Sequence, residues 1–431
     1  MLRLDLKQGI GQVGTSCVNE GDKVERGQIL TEIDLSKLGV PLHAPLNGQI
    51  TKVTGQTIEL EPSDLDDDFV PIQTAKSISE TVRNAGIVGM GGAGFPTYFK
   101  LQTDLSQGGY VLCNAAECEP ILQHNIDQIN ANPQKLVRGL KLAMKATGAP
   151  KGIIGVKLKN KETVKALTQV VSDDPDIRVF PLKNMYPAGE ERALIRDSLN
   201  VLLDTDELPQ VADTVVINSE TMMAIADAVD DHKPLLDKHL TVAGKLNNIS
   251  QGETQSLSLA VGTQIKDILK KFGGISEQSG EIILGGPYTG VRTHPKESIS
   301  KTSGGVIVTQ PFEKVTKKLG LIQCACGASE SRMRELADSY QAEVVDRQVC
   351  KNAVEVQPGV YKCKNPGVCP GQAEKVLALR KAGAEEVLIG HCTDCTNTVM
   401  EVAPKLNMTI HHVTDHALKT QGMNLIRRME P

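Results

Sequence analysis

Polar and apolar positions alternate in short stretches through the first 75 residues. VERGQILTEID and PLHAPLNGQITKV read as strands broken at Gly, Pro and an Asn-Gly pair, the punctuation of hairpins. The period then changes. SISETVRNAG is amphipathic at helical spacing and stops at Gly86, a helix C-terminal signal. The apolar runs YVLCNAAE, GIIGVKL, IRVFPL and DTVVINSET follow, separated by helical patterns up to about residue 232. Such strands joined by helices predict a mostly parallel sheet covered on both faces. Between 233 and 310 the stretches KHLTVAG, GEIILGG and GVRTH surround one helix, VGTQIKDILKKFGG, as in a β-grasp module. From 311 to 431 helix and strand patterns return in SESRMRELADSYQA, AEKVLALRKAG, EEVLIG, TNTVMEVAPKL and MTIHHV. The expected architecture is multidomain α/β and α+β. A barrel-sandwich-like β domain spans 1–75 and a parallel α/β domain 76–232. A β-grasp module spans 233–310 and a Cys-rich α/β domain 311–431, with DLDDDF (Asp64 to Phe69) as an acidic linker.

Composition narrows the class. The 431 residues are 40% hydrophobic and 23% charged, an ordinary globular balance. Aromatics make up 3% and Trp is absent, so aliphatic cores are expected. The net charge is −5 and Lys and Arg do not cluster, which argues against a nucleic-acid surface. No signal-peptide core opens the chain and no apolar run approaches a membrane span. The expectation is a soluble, cytoplasmic protein. Seven of the ten cysteines fall at or after Cys324. Without a secretion signal they point to metal binding or thiol redox chemistry rather than structural disulfides.

VGMGGAGFPTYFK, Val88 to Lys100, places four glycines in six residues. Gly89, Gly91 and Gly94 fit G-x-G-x-x-G, but a dinucleotide fingerprint needs a strand immediately before it. Here a helical pattern precedes, so the ordinary Rossmann reading fails. Clustered glycines still let backbone N–H groups close on an anion. Lys100 offers positive charge to a phosphate and Phe95 a flat face to a ring. A tight turn without a ligand is the plain alternative.

This loop resembles the flavin-and-NADH loop of the flavin-binding subunit of respiratory complex I. It more closely resembles that of RnfC, the NADH-oxidising subunit of Rnf complexes. Three further segments recur in order: CNAAECEP (Cys113 to Pro120), YPAGEERALI (Tyr186 to Ile195) and INSETMMAIADA (Ile217 to Ala228). With the N-terminal β domain and the β-grasp (SLBB-like) module, the resemblance covers about residues 1 to 310. It implies that Gly89, Gly91, Gly92 and Gly94 line the FMN phosphate and the nicotinamide nucleotide. Phe95 would stack on the dinucleotide, Lys100 hold the flavin side and Asn114 hydrogen-bond the flavin. Glu117 and Glu119 would sit near the flavin and nicotinamide. Tyr186, Gly189, Glu190 and Glu191 would wall the pocket, with Asn218 near the FMN phosphate.

RnfC continues into ferredoxin-like cluster motifs, whereas this chain has no C-x-x-C-x-x-C-x-x-x-C-P run. In its place stand Cys324-x-Cys326, Cys350, Cys363-x5-Cys369-Pro and Cys392-x-x-Cys395. In EEVLIGHCTDCTNTVMEV a strand pattern ends at Gly390 and C-x-x-C opens a helix. A thiol there feels the positive helix end and is expected to favour thiolate. His391 is expected at the surface. Two other readings remain: zinc on Cys363, Cys369, Cys392 and Cys395, or an iron–sulfur cluster using Cys324 and Cys326. An RnfC-like body with thiols also resembles PrdC, the electron-transfer protein of D-proline reductase systems, through CACGASE and HCTDC. This resemblance implies electron flow from NADH through FMN to Cys392 and Cys395, with Cys324 and Cys326 next, and on to a partner reductase, D-proline reductase. A non-enzymatic adaptor with a structural metal site is the other class of reading.

Overall fold

Successive residues of a strand face opposite sides of its sheet. In the central sheet those sides belong to two separate cores. Val111, Cys113, Ile154, Val215 and Ile217 pack on one face, and Leu112, Ile153 and Val216 on the other. That is why these strands carry no polar alternation. In the computed structural model, which describes residues 1–63, 67–73 and 75–427, this sheet is wholly parallel. Its spatial order is Thr214–Asn218, Tyr110–Asn114, Lys151–Lys157, Ile177–Leu182. Helix Ile78–Asn84 precedes the glycine loop. Ser77 caps it by accepting from the Glu80 N–H, and Gly86 follows with φ of +71°. A helix, not a strand, therefore leads into Val88.

The N-terminal segment forms an antiparallel sheet of Leu2–Asp5, Thr57–Pro62, Gly48–Val53 and Lys23–Val24, beside a Thr15–Ser16/Thr31–Glu32 pair. Leu4, Leu30, Ile50, Ile58 and Leu60 fill its interior. VERGQILTEID contributes only Lys23–Val24 and Thr31–Glu32. A left-handed Gly27, φ +89°, turns the chain between them. Asp64 to Asp66 of the acidic linker lie outside the described residues.

Residues Asp237 to Val308 build a five-stranded sheet in the order Thr254–Ala260, Asp237–Gly244, Gly305–Val308, Ile282–Leu284, Val291–Thr293. Asp237–Gly244 and Gly305–Val308 run parallel and the remaining pairs antiparallel. Helix Ile265–Lys271 covers it through Ile265, Ile268 and Leu269. The last segment holds a second parallel sheet, Val344–Val349, Leu319–Gln323, Glu386–Ile389, Thr409–His412. Helices Glu330–Ser339, Ala373–Lys381 and Thr393–Val402 accompany it. A hairpin, Ala353–Gln357 with Val360–Cys363, projects from it. The chain is thus a mixed α/β protein of several modules with parallel sheets.

Buried ion pairs join the modules. Lys238 donates to Glu220 at 2.5 Å with both side chains almost inaccessible. Glu281, at the edge of the five-stranded sheet, accepts from Arg332 of helix Glu330–Ser339 at 2.5 and 2.9 Å and from Arg292 at 2.8 Å. His416 Nε2 lies 2.6 Å from the same carboxylate. Burial alone would raise the Glu281 pKa, but His416 and Arg332 hold it well below the ordinary 4.5. Its ionised form therefore stabilises the fold above pH 4.5, and that contribution fades as pH falls toward the depressed folded value. Glu281→Gln is expected to cost about 3–5 kcal/mol near pH 7, because buried Arg332 loses the more deeply buried of its two carboxylate partners. Thermal unfolding at several pH values should show the gap from the native chain narrowing below pH 4.5. A gap independent of pH would refute the assignment.

Candidate functional site: a nucleotide cavity walled by thiols

Asn114 and Asn218 are register partners at the carboxyl ends of adjacent parallel strands. Open α/β sheets bind ligands beyond those ends. Two cavities of about 670 and 280 Å³ lie there and share Gly91, Gly92, Asn114, Gly189 and Asn218. Gly89, Gly94, Phe95, Lys100 and Glu191 line the smaller one. Glu117, Glu119, Tyr186 and Glu190 line the larger. The four sequence segments, far apart in the chain, converge on one place.

Local chemistry explains the convergence. Helices Glu191–Leu199 and Ser219–Asp230 both begin at the cavity. They are capped by Glu190, which accepts from the Ala193 N–H, and by Asn218, which accepts from the Glu220 N–H. Each helix start carries unsatisfied N–H groups and partial positive charge. The glycine loop is closed by the Gly89 N–H donating to Phe95 O at 2.8 Å. It is tied to the second helix by the Met90 N–H donating to Thr221 Oγ1 at 3.0 Å. A Cβ on Gly91 would lie 2.5 Å from Asn218 Nδ2, and one on Gly189 2.8 Å from Ala116 O. Only glycine permits these approaches. Asn114 Nδ2 donates to Gly189 O at 2.7 Å and Asn114 Oδ1 accepts from the Ala116 N–H. This side chain holds the acidic turn against the Gly-Glu-Glu segment.

Several side chains are engaged within the protein. Lys100 Nζ donates to Val216 O at 2.8 Å and pairs with Glu191 at 3.1 Å. The positive charge expected for a phosphate is thus shared with a carboxylate. Glu119 accepts from the Tyr288 and Thr289 N–H groups and the Thr289 hydroxyl, at 2.8, 2.9 and 2.6 Å. It clamps a loop of the module built on the five-stranded sheet rather than standing free for a nicotinamide. Burial pushes its carboxyl up to about 7 against the pull of those donors. Glu117 accepts from Asn125 at 2.8 Å, and burial raises its pKa too. Phe95 meets Phe99 edge to face at 5.8 Å.

Arg192 and Tyr288 escaped sequence reasoning. Arg192 lines the larger cavity. It donates from Nη2 to Cys363 O at 2.6 Å, while its buried Nη1 has no partner among the described residues. An orphaned guanidinium N–H in a cavity wall suits an anionic group. An Arg in a helix's first turn reads as a solvated residue, so only the fold exposes this role. Tyr288 stacks on Tyr186 with centroids 3.6 Å apart and planes within 1°. Glycine cradle, two helix starts and Arg192 together fit the phosphate of a flavin nucleotide.

Sulfur also lines the larger cavity. Cys326 and Cys363 line it beside Ala325 and Pro366. All ten cysteines are free thiols. Cys326 is hydrogen-bonded to Cys363 and to Cys324. The sulfurs of Cys324, Cys350 and Cys395 lie within 4.8 Å of one another, and Cys392 is hydrogen-bonded to Cys324 and Cys395. Strand Glu386–Ile389 does lead into a helix opened by Cys392. Neighbouring thiols act on Cys392 there besides the helix start. Hydrogen bonding with Cys324 pushes the Cys392 thiol up, and burial adds to it. Cys324 is instead held low by hydrogen bonds with Cys326, Cys350, Cys392 and Cys395. The groupings also differ from those expected. Cys363 joins Cys326 rather than Cys369, Cys392 and Cys395. Cys324 turns inward while Cys326 faces the cavity. His391, expected at the surface, is fully buried.

Residues 82–227 match the Nuo51 FMN-binding domain family, and residues 1–72 the RnfC barrel sandwich hybrid domain. The chain is 30% identical to the C subunit of the Na(+)-translocating ferredoxin:NAD(+) oxidoreductase complex of Acetobacterium woodii, over 82% of this chain and 84% of the relative. It is 30% identical to the C subunit of the ion-translocating oxidoreductase complex of Vibrio cholerae, over 76% of this chain but 44% of the relative. It is 36% identical to the cobalamin reductase PduS of Citrobacter freundii, over 54% of this chain and 50% of that protein. Gly91→Val is expected to weaken FMN binding by about tenfold or more, since the new side chain would collide with Asn218. Fluorescence titration of the flavin-free chain measures this. Unchanged affinity would reduce the loop to a simple turn.

Proposed function

The chain belongs to the RnfC family of oxidoreductase C subunits, and on that premise we propose that it passes electrons from NADH, through FMN, to cysteines and on to a partner reductase. When bound, FMN supplies the hydride-accepting chemistry. The observation that carries this reading is the shared cavity, which the glycine loop, two helix starts, Cys326 and Cys363 all line.

In this reading the bare N–H groups of Gly91 and Gly92, the starts of the helices capped by Glu190 and Asn218, and Arg192 receive phosphate. Phe95 offers its ring to the dinucleotide, Lys100 holds the flavin side through Glu191, and Asn114 fixes the turn beside it. Glu117 keeps its place near the nicotinamide. Glu119 acts at one remove, by holding the loop that carries Tyr288. The paired tyrosines keep water from the space between the cavity and the inner sulfurs.

Cys326 and Cys363 are the first electron acceptors, ahead of Cys392 and Cys395, because of the C-terminal cysteines they are the ones that line the cavity. Their disulfide takes two electrons and two protons and becomes two thiols, which matches the two electrons of a hydride. D-proline reductase is the partner that the CACGASE and HCTDC segments favour.

The test is an anaerobic absorbance experiment on the flavin-loaded chain. NADH should bleach the flavin band. Reduced chain should then drive D-proline-dependent reoxidation when the reductase is added. The double change Cys326→Ser, Cys363→Ser should leave bleaching intact and slow delivery to a disulfide acceptor by about tenfold or more. A chain that binds no flavin, or whose flavin ignores NADH, would sink the proposal. Equal delivery by the double variant would move the exit elsewhere.

A further inference from the structure

We propose that Cys324, Cys350 and Cys395, with Cys392, form a buried site for one soft divalent cation, zinc or ferrous iron. The site is separate from the nucleotide cavity and needs neither FMN nor NADH.

The C-terminal sheet itself assembles the ligands. Strand Leu319–Gln323 lies between Val344–Val349 and Glu386–Ile389, all three parallel. Their carboxyl ends therefore sit side by side. Cys324 directly follows the first and Cys350 the second. The third leads into helix Thr393–Val402, which carries Cys395 and has Cys392 as its cap. Ligands more than 70 residues apart in the chain are thus delivered to one edge by parallel pairing.

The spacing suits a single ion. Metal–sulfur bonds of about 2.3 Å in a tetrahedron put sulfurs roughly 3.8 Å apart. The three sulfurs lie within 4.8 Å of one another. Cys392 lies against Cys324 and Cys395 but outside that mutual group, and a shift of its side chain would close the tetrahedron. A multi-iron cluster would hold its thiolates further apart. None of the four is in a disulfide. Each is at most 3% exposed.

A second, independent feature points to bound metal. Gln372 is fully buried. Its Nε2 faces sulfur throughout, 3.1 Å from Cys350, 3.5 Å from Cys395 and 3.8 Å from Cys369. An amide N–H donated to several sulfurs is the outer-shell arrangement that orients metal thiolates. Sulfurs this close in an apolar interior could all ionise only with a cation between them. An all-sulfur donor set selects zinc or iron over magnesium or calcium, and Cys392-x-x-Cys395 has the short spacing common in such sites.

Metal analysis of the full chain, purified anaerobically, is the test. It should return about one zinc or one iron per chain, and the element found identifies the ion. Cobalt(II) added to metal-free chain should produce the intense sulfur-to-metal absorption of a tetrahedral thiolate site. Cys324→Ser with Cys350→Ser should abolish both signals, while Cys326→Ser with Cys363→Ser should keep them. Should the first variant fail to fold, the cobalt titration of the native chain still decides. A native chain that takes up neither zinc, iron nor cobalt would overturn the proposal, as would peptide mapping that finds a disulfide among the four. Neither result bears on whether NADH reduces a bound flavin.

Discussion

The stacked pair Tyr186–Tyr288 is the contact on which the functional geometry depends. Tyr186 belongs to the nucleotide-binding segment and Tyr288 to the module built on the five-stranded sheet. His412 of the C-terminal sheet meets Tyr288 edge to face at 5.1 Å. An aromatic pair adds about 0.5–1.5 kcal/mol beyond the area it buries. Here it also fixes where three modules meet. The Tyr186 N–H donates to Thr393 Oγ1 and the Thr393 N–H returns a bond to Tyr186 O. The first turn of the C-x-x-C helix is therefore bonded directly to the pocket segment, and the sulfurs are carried to the cavity wall.

Polar groups around this stack divide their work. Glu119 gives its carboxylate to the loop that carries Tyr288, so an acidic residue beside a nucleotide cavity serves assembly. Asn114 and Asn218 bond backbone and so shape the cradle rather than merely decorate it. Lys100 and Glu191 neutralise one another at the smaller cavity. What is left uncommitted is instructive: the bare loop N–H groups, two helix starts and one nitrogen of Arg192. All are donors, and an anion is the ligand they suit.

The sulfur layer follows the same logic of convergence. A parallel sheet brings successive loops to one edge, and its cysteines collect there whatever their spacing in the chain. Two of them break away to face the cavity. The inner group is enclosed beneath them, with Gln372 as its polar companion. Electron entry and metal binding are thereby assigned to different thiols of one continuous layer.

Periodicity alone was enough to identify the helix before the glycine loop, all four strands of the central sheet and the strand-to-helix step at Cys392, because each is set by residues near one another in sequence. The glycine loop and its three companion segments were likewise readable, since close backbone approach demands glycine whatever surrounds it. The edge strand Thr254–Ala260 was not, because its half-exposed TQSLSLA carries too little apolar signal. Beyond the Cys392–Cys395 pair, cysteine grouping could not be read from spacing. Cys363 and Cys326 meet only because a hairpin folds back over the sheet, and Cys350 joins Cys324 only because their strands are neighbours. The same holds for Arg192, whose burial comes from the Cys363 segment packed upon it. Local conformation and backbone tolerance were properties of the sequence itself. Which sulfurs touch, which thiol takes the negative charge and which carboxylate is already engaged were decided by tertiary packing, because those properties depend on neighbours that only the folded sheets supply.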